Sequence, residues 1–310
     1  MTTNEIAAAT KIQVHQLTPR IGAEISGVDL ATELPDETRA DIRAALLAHR
    51  VVFFRAQHLD AEGQLAFARG LGPLTRAHPT LPASRESSAL FDLDSQAGAA
   101  ANHWHTDVTF VEQPPTFSIL RAIVIPDIGG DTLWANTVAG YGDLRPSIRA
   151  LANELRAVHT NGQDYGRVDV AKAKGRLRPE ELEHLKSFVS TVYETEHPVV
   201  RNHPETGEPA LLLGGFAQRL VGHQSAESVD ILRTLQAYVT RPENTVRWHW
   251  RAGDVAVWDN RSTQHYAIYD YGTRRRHVQR TTTAGVTPVG LDGRPSVALT
   301  GDPEDYYREN

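Results

Sequence analysis

Polar and apolar residues alternate along the stretch 101–110, which reads Ala-Asn-His-Trp-His-Thr-Asp-Val-Thr-Phe. A β-strand turns successive side chains to opposite faces, so the stretch predicts one polar face and one apolar face. The polar face would carry His105 and Asp107 side by side, and His-x-Asp supplies two ligands of the two-histidine, one-carboxylate triad that binds non-haem Fe(II). The alternative is a half-exposed strand with a solvated polar face. The apolar face comprises Trp104, Thr106, Val108 and Phe110.

Short apolar runs between turn residues predict strands along the whole chain, at 11–17, 23–28, 51–54, 116–126, 199–202, 210–213, 246–250, 255–258 and 275–284. Helical periodicity predicts helices at 35–50, 60–72, 141–159, 179–189 and 225–239, the second with Asp60 as its N-cap and Gly72 at its end. No glycine-rich phosphate loop follows a strand, which argues against a Rossmann-type sheet. The pattern therefore predicts a mainly β fold, an antiparallel barrel or jelly roll covered by helices.

We expect a single domain over residues 1–310. Residues 1–10 read as a frayed leader, and the charged stretch 167–178 reads as an insertion. The stretch 81–101 is irregular, small and polar and directly precedes the candidate metal ligands, which favours a mobile lid loop; an inert surface loop is the alternative.

Composition excludes several classes of partner. The net charge is −6 and the basic residues are scattered, so no basic stripe indicates nucleic acid or an anionic membrane. No apolar run approaches the roughly 18 residues of a membrane span. The first ten residues lack the pattern of a signal peptide, so we expect a cytoplasmic protein. The sequence has no cysteine, and any metal must therefore sit on His, Asp or Glu.

The third metal ligand should be a histidine far along the chain, and His265 is the candidate among fourteen. It follows the predicted strand 255–258 through a polar turn, and an arginine, Arg276, comes eleven residues later. A lone histidine is more often a hydrogen-bonded structural residue than a ligand, and that interpretation stays open for His265.

Arg276 and Arg280 share one face of the last predicted strand. Four residues of strand rise roughly 13 Å, so the two guanidiniums would form two anion sites along one wall rather than one clamp. Arginine suits such sites because its planar fork pairs bidentately with carboxylate or sulfate. The alternative is a solvated basic face, which is what we expect of Arg274 and Arg275.

Two weaker candidates flank these sites. Thr132 follows Gly129-Gly130-Asp131 and could donate its hydroxyl to the same carboxylate as Arg276, although it could equally be a plain turn residue. His78 precedes the presumed lid and could meet a substrate anion; a surface histidine is the alternative.

Four motifs now occur in a fixed order: Trp104-His105-Thr106-Asp107-Val108-Thr109-Phe110, Gly129-Gly130-Asp131-Thr132-Leu133-Trp134, Trp258-Asp259-Asn260-Arg261 with Thr263-Gln264-His265-Tyr266, and Arg276-x-x-x-Arg280. Together they resemble the taurine/2-oxoglutarate dioxygenase family of Fe(II) enzymes, from about residue 20 to residue 285. The resemblance implies a double-stranded β-helix (jelly roll) with flanking and inserted α-helices. It also implies Fe(II) as the metal, 2-oxoglutarate and O₂ as cosubstrates, and a homo-oligomer, either a dimer or a tetramer.

The resemblance implies a role for each candidate residue. His105, Asp107 and His265 match the family's iron ligands. Thr132 and Arg276 match the pair that holds the distal carboxylate of 2-oxoglutarate. The remaining candidates match residues that contact a small anionic organic substrate: Arg280 at its sulfonate or sulfate, with His78 assisting and Val108 nearby.

Departures from the family pattern bear on the substrate. Leu81 and Ala101 stand where taurine-oxidising members have a tyrosine and an asparagine for the amino group, and a buried ammonium without partners is costly. The stretches 190–198 and 243–248 look most like the alkylsulfatase branch. The resemblance thus implies hydroxylation beside a sulfate ester, which releases an aldehyde, sulfate, succinate and CO₂. Alternatives are an oxygenase of sulfonates or phenoxyalkanoates and, in another class, a non-catalytic metal-binding jelly roll.

Overall fold

The computed structural model describes residues 12–98, 101–162, 178–301 and 303–309. The predicted leader at 1–10 and nearly all of the predicted insertion at 167–178 lie outside these ranges. The strands are β1 Gln13–Gln16, β2 Ala23–Ser26, β3 Val51–Phe54, β4 Phe91–Asp94, β5 Phe117–Val124, β6 Thr132–Asn136, β7 Arg156–Thr160, β8 Glu194–Pro198, β9 Val200–Asn202, β10 Pro209–Leu211, β11 Ala217–Leu220, β12 Thr245–Trp248, β13 Val255–Asp259, β14 Thr263–Ala267, β15 His277–Thr282 and β16 Val297–Thr300. The α-helices are α1 Asp36–His49, α2 Ala61–Arg69, α3 Thr137–Gly142, α4 Pro146–Glu154, α5 Pro179–Phe188 and α6 Ser225–Val239.

Two facing sheets form the centre of the fold. The larger has the order β1-β2-β3-β13-β5-β15-β4 and is antiparallel except for the pair β2 and β3. The smaller has the order β12-β6-β14. Large aromatic side chains fill the space between them; the rings of Phe53 and Trp248, one from each sheet, stack with centroids 4.2 Å apart. This architecture confirms the predicted jelly roll.

Helices cover the outer face of the larger sheet, as the sequence pattern predicts. Helix α1 packs on that face through Ile42 and Leu46, and helix α2 packs on it through Leu65 and Phe67. The carboxylate of Asp60 accepts the Gly63 amide at 2.8 Å, which confirms the N-cap of α2. The helix ends at residue 69, three residues before the predicted end.

A second group of elements packs beside the jelly roll. Strands β11, β7, β8 and β16 form a four-stranded sheet in that order, and α3, α4 and α6 pack near it with the pair β9 and β10. The helix predicted over 141–159 is wrong. Pro146 begins α4, which ends at Glu154, and residues 156–160 form β7, all of them buried. A strand buried on both faces lacks the alternation that would reveal it.

Two predictions next to the candidate site need correction. The stretch 81–101 is not wholly irregular, because it contains β4, which pairs with β15 and brings Phe91 opposite Arg280. The stretch 101–110 is not a strand: among its residues only His105 forms a β-bridge, and the chain turns at Asp107 with Val108 at φ 53°. The turn buries Thr106 and Val108 as deeply as Asp107, so the predicted division into two faces fails.

Candidate active site

Three predicted metal ligands converge at the mouth of the jelly roll. His105 and His265 are held together by a pair of backbone hydrogen bonds of 3.0 and 2.8 Å between the turn and β14. Their Nε2 atoms lie 3.9 and 3.7 Å from Oδ1 of Asp107. One ligand atom from each of the three residues lies within 4.8 Å of the others, a spacing that allows one metal ion to touch all three.

The protonation of this cluster suits Fe(II). Burial lowers the pKa of His105 to about 3 and that of His265 to about 4. Burial raises the pKa of Asp107, but the Arg280 guanidinium and the two imidazoles outweigh it and bring the value to about 2. Nδ1 of His105 lies 2.8 Å from the carbonyl oxygen of His103, so it carries the proton and leaves the Nε2 lone pair free. Two neutral imidazoles and a carboxylate form the facial donor set of non-haem Fe(II).

The turn that carries Asp107 is strained and held from the neighbouring sheet. A β-branched residue such as Val108 rarely adopts a positive φ, and it persists only where its surroundings enforce it. Here the next residue, Thr109, is fixed twice. Its hydroxyl lies 2.9 Å from Nδ1 of His159 on β7, and its carbonyl accepts from Nε2 of His197 on β8 at 2.7 Å. The four-stranded sheet that contains β7 and β8 thus fixes the backbone beside a metal ligand.

Arg276 and Thr132 form the first predicted anion site. Thr132 begins β6 and Arg276 directly precedes β15, and Nη2 of Arg276 contacts the Thr132 hydroxyl at 3.3 Å. Nε of Arg276 donates to the carbonyl of Gly130 at 2.9 Å, and a Cβ at position 130 would approach Cδ of Arg276 to 3.0 Å. The indole N–H of Trp250 donates to the Thr132 hydroxyl at 2.9 Å. The alternative of a plain turn residue is therefore wrong for Thr132.

Arg280 and His78 form the second predicted anion site. Arg280 is buried on β15, and its Nη1 donates to Oδ1 of Asp107, while its Nε has no acceptor within the described residues. His78 packs against the rings of Phe91 and Phe188, with centroids 5.6 and 5.3 Å away. Its Nδ1 accepts the Leu81 amide at 3.1 Å, so the ring proton sits on Nε2. Arg280 is buried and His78 is partly buried, so neither side chain is fully exposed to solvent.

One pocket connects the metal cluster with both anion sites. Its wall includes Leu81, Ala101 and Val108, the positions that the sequence singled out for the substrate. Its only carboxylate among the described lining residues is Asp107, and its only guanidiniums are Arg276 and Arg280. Sequence reasoning missed other wall residues, which are His103, Phe188 and Phe216.

The missed residues had one local signal. Gly214 and Gly215 precede Phe216, and the Gly215 amide donates to the Trp104 carbonyl at 2.8 Å. A Cβ at Gly215 would lie 2.4 Å from the His103 ring, so only glycine leaves room for that imidazole beside His105. A Gly-Gly pair between apolar residues thus indicates a close backbone approach, although not its partner.

Among the residues that the structure describes, no helix is long and apolar enough to cross a membrane.

Comparisons with known proteins agree with this geometry. The family profile "Taurine catabolism dioxygenase TauD, TfdA family" matches residues 13–282. An α-ketoglutarate-dependent sulfate ester dioxygenase of Pseudomonas putida is 53% identical over 93% of this chain and 94% of its own. An alkylsulfatase of Acinetobacter baylyi is 53% identical over 91% of this chain and 88% of its own. The crystal structure of a taurine dioxygenase from Burkholderia xenovorans superimposes with a TM-score of 0.79 at 41% identity, covering 94% of this chain and 96% of that one.

Proposed function

Since the chain belongs to the TauD/TfdA family and is an Fe(II)- and 2-oxoglutarate-dependent dioxygenase, we propose that its substrate is an alkyl sulfate ester, whose carbon next to the sulfate oxygen it hydroxylates. Two relatives that share 53% of their residues with it act, by their names, on sulfate esters. The observation that carries the proposal is the charge of the pocket. It offers two guanidiniums and one carboxylate that belongs to the metal cluster, and the rest of its wall is largely apolar apart from histidines, Thr132, Tyr269 and Tyr271.

We assign the metal to His105, Asp107 and His265. The donor set fits Fe(II), and the geometry leaves the pocket side of the cluster open to ligands. When bound, the iron would couple the oxidative decarboxylation of 2-oxoglutarate to the hydroxylation of a C–H bond by O₂. All other steps depend on binding, orientation and exclusion of water by the chain itself.

Arg276 and Thr132 would hold the distal carboxylate of 2-oxoglutarate. A buried guanidinium that keeps hydrogen bonds to Gly130 and Thr132 is already oriented, so it loses little entropy when it binds a carboxylate. Trp250 donates to the Thr132 hydroxyl oxygen, which leaves the hydroxyl hydrogen available to the cosubstrate. This arrangement would fix the cosubstrate at the end of the pocket far from Arg280.

Arg280 would bind the sulfate group, with His78 donating from Nε2 and Val108 lining the same side. The unpaired Nε of Arg280 supports this role, since a buried donor normally has an acceptor. With its sulfate fixed there, the substrate presents only the adjacent carbon to the metal. Insertion of one oxygen atom into that C–H bond gives a carbon that bears both hydroxyl and sulfate. This product breaks its C–O bond to sulfate and leaves an aldehyde.

The side chains at two positions of the pocket wall separate this proposal from taurine oxidation. Leu81 and Ala101 add no polar side-chain atom to the wall, and Phe91, Phe188 and Phe216 enlarge its apolar part. A buried ammonium without hydrogen-bond acceptors costs several kcal/mol, whereas an alkyl chain gains about 0.8 kcal/mol for each buried CH₂.

A matched substrate panel tests the proposal. Hexyl sulfate, hexanesulfonate, taurine and phenoxyacetate are incubated with enzyme, Fe(II) and 2-oxoglutarate, and succinate and sulfate are measured. We expect hexyl sulfate to release succinate and sulfate in equal amounts and at the highest rate. Preferential succinate release with taurine, hexanesulfonate or phenoxyacetate would contradict the proposed substrate. No succinate with any of them would favour a metal-binding protein without this activity.

We further propose that the chain acts as a single catalytic domain in the cytoplasm and forms a homo-oligomer. Fe(II) and 2-oxoglutarate are both available in a reducing cell interior, which supports the location. The edge strand β16 exposes Val297 and Leu299, an apolar edge that supports association with another copy. Light scattering on the purified protein gives its mass in solution; a monomer of 34.2 kDa would contradict the oligomer.

A further inference from the structure

The sequence motif Trp258-Asp259-Asn260 marks the resemblance to the family, but none of its residues belongs to the three ligands or the two anion sites. The structure shows where its side chains go. Trp258 and Asn260 point toward the metal cluster, whereas Asp259 points away and pairs with Arg261 and His203. Alternate residues of an extended chain face opposite ways, so the motif serves two separate clusters.

A chain of three hydrogen bonds runs from Trp258 to Asp107. The indole Nε1 donates to Oδ1 of Asn260 at 3.0 Å. Nδ2 of Asn260 donates to the Ser118 hydroxyl at 2.8 Å. The Ser118 hydroxyl donates to Oδ2 of Asp107 at 2.6 Å. All four side chains are buried, none of them more than 3% exposed.

The direction of this chain is fixed by its first member. An indole N–H can only donate, so the atom of Asn260 that faces Trp258 is the amide oxygen. The amide nitrogen then faces Ser118 and donates to it. Because the serine oxygen already accepts a hydrogen bond from Asn260, its single hydrogen is free to point at the carboxylate of Asp107.

The relay acts on one carboxylate oxygen only. Oδ2 of Asp107 receives the serine hydrogen. Oδ1, which accepts from Arg280, is the oxygen that lies 3.7–3.9 Å from the two imidazole Nε2 atoms. Partners outside the ligands that hold a metal-binding carboxylate in this way typically contribute 10- to 100-fold to metal affinity.

We propose that Ser118, Asn260 and Trp258 are positioning residues that keep Oδ2 of Asp107 engaged and present Oδ1 to the metal. This inference rests on the assignment of Asp107 as a metal ligand. The motif then has a stated physical role, which is to set the direction of a hydrogen-bond relay that ends on that ligand.

Metal titration of the purified enzyme tests the relay without using turnover. The dissociation constant of Mn(II) is measured for the wild type, Ser118→Ala, Asn260→Leu and the control Thr106→Val. The control, like Ser118→Ala, removes a buried hydroxyl close to Asp107. The Thr106 hydroxyl, however, donates to the Thr263 carbonyl at 2.7 Å and not to Asp107. Unfolding in urea is followed for each variant, so that lost stability is separated from lost affinity.

We expect a graded result. Ser118→Ala should weaken Mn(II) binding by about 10- to 100-fold. Asn260→Leu should weaken it less, because the serine hydroxyl remains but is no longer directed. Thr106→Val should destabilise the fold to a similar extent as Ser118→Ala and leave the affinity within about threefold. The anaerobic visible band of the Fe(II) and 2-oxoglutarate complex should shift in Ser118→Ala and not in the control.

Equal Mn(II) affinity in Ser118→Ala and Thr106→Val would overturn the relay. If Ser118→Ala does not fold, Asn260→Leu decides alone: an affinity within the range of the control would overturn the proposal. The titration also includes His105→Ala. If His105→Ala binds Mn(II) as tightly as the wild type, the metal assignment itself is wrong, an outcome distinct from failure of the relay.

Discussion

Two buried clusters, each built around an aspartate, differ in how closely the imidazole nitrogens approach the carboxylate. The ionic cluster comprises His203, Asp259 and Arg261, and the metal cluster comprises His105, Asp107 and His265. In the ionic cluster the imidazole of His203 lies 2.9 Å from the Asp259 carboxylate and the guanidinium of Arg261 lies 2.7 Å from it. In the metal cluster a guanidinium, that of Arg280, also donates to the Asp107 carboxylate, but both imidazole nitrogens stay 3.7–3.9 Å from it.

The difference separates a structural ion pair from a ligand set. Both oxygens of Asp259 accept hydrogen bonds from their neighbours, and Arg261 and His203 hold its pKa well below the usual range in spite of burial. The ligand atoms of the metal cluster, one from each residue, lie within 4.8 Å of one another and leave a point that one metal ion can share. Counting His and Asp in a buried site therefore decides little, and the distances decide the chemistry.

Removal of the carboxylate from the ionic cluster tests whether this cluster stabilises the fold, and we expect the largest effect here. Asp259→Ala leaves the buried guanidinium of Arg201 without its nearby counter-charge, and Arg261 keeps only Glu205. Breaking one side of a buried ion pair costs about 3–5 kcal/mol, so the free energy of unfolding should fall by that amount in urea denaturation. A loss below about 1 kcal/mol would show that the ionic cluster is not structural.

Removal of a histidine from the metal cluster tests whether this cluster binds a metal ion. His265→Ala should weaken Mn(II) binding by more than about a hundredfold, since metal sites gain several kcal/mol per ligand. Its metal-free stability should fall less than that of Asp259→Ala, because the imidazole forms no short ion pair and the variant loses only ring packing against Trp258 and His105. Calorimetric titration and urea denaturation give both numbers. If the affinity for Mn(II) is unchanged and the free energy of unfolding falls strongly, the metal cluster is structural and does not bind the metal.

A third prediction compares two adjacent arginines directly before β15. Arg276 is buried at the pocket, whereas Arg275 is exposed and pairs with Asp94 at 2.7 Å. Hydrogen bonds to charged groups contribute about 1.5–3 kcal/mol, so Arg276→Ala should raise the KM for 2-oxoglutarate by about 10- to 100-fold. Arg275→Ala should leave that KM within about twofold. An equal effect of both variants would mean that the buried arginine does not bind the cosubstrate.

The smallest expected effect is a pH dependence of the metal-free protein. The pKa of His265 is about 4 in the fold against 6.5 for the free side chain. Between these values the unfolded chain holds more protons, so stability falls as the pH is lowered from 6.5. One such histidine contributes up to about 1.4 kcal/mol per pH unit.

Urea denaturation at pH 6.5 and pH 5.5, with a chelator present, measures this contribution. His265→Ala should lose about 1 kcal/mol less than the wild type over that interval. The same loss in both proteins would mean that the fold does not lower the pKa of His265.

The sequence predicts those elements whose signals are local. Residues 225–239 form α6 as predicted, and Asp60 caps α2, because periodicity and capping depend on neighbouring residues. β7 and β4 were missed because their identity depends on pairing with β8 and β15, which are distant in sequence. The strand predicted at 101–110 fails for the same reason, since contacts from β7 and β8 enforce the turn.

The same division applies to the site. The three ligand positions, Arg276 and Arg280 were proposed from four sequence motifs and their resemblance to the family. Ser118, Phe188 and Phe216 could not, because their residue types are ordinary and only the fold brings them to the pocket or to Asp107. His78 shows the limit most clearly. Its burial depends on rings contributed by β4 and α5, which its own neighbours in sequence do not reveal.

The central claim is that the metal cluster and Arg276 assemble one site for Fe(II) and 2-oxoglutarate. Anaerobic titration of the purified protein with Fe(II), followed by 2-oxoglutarate, tests it most directly through the weak visible charge-transfer band of that complex. We expect the band to saturate at one Fe(II) per chain in the wild type and to be absent in His105→Ala. No band in the wild type, or a band of equal intensity in His105→Ala, would contradict the assignment.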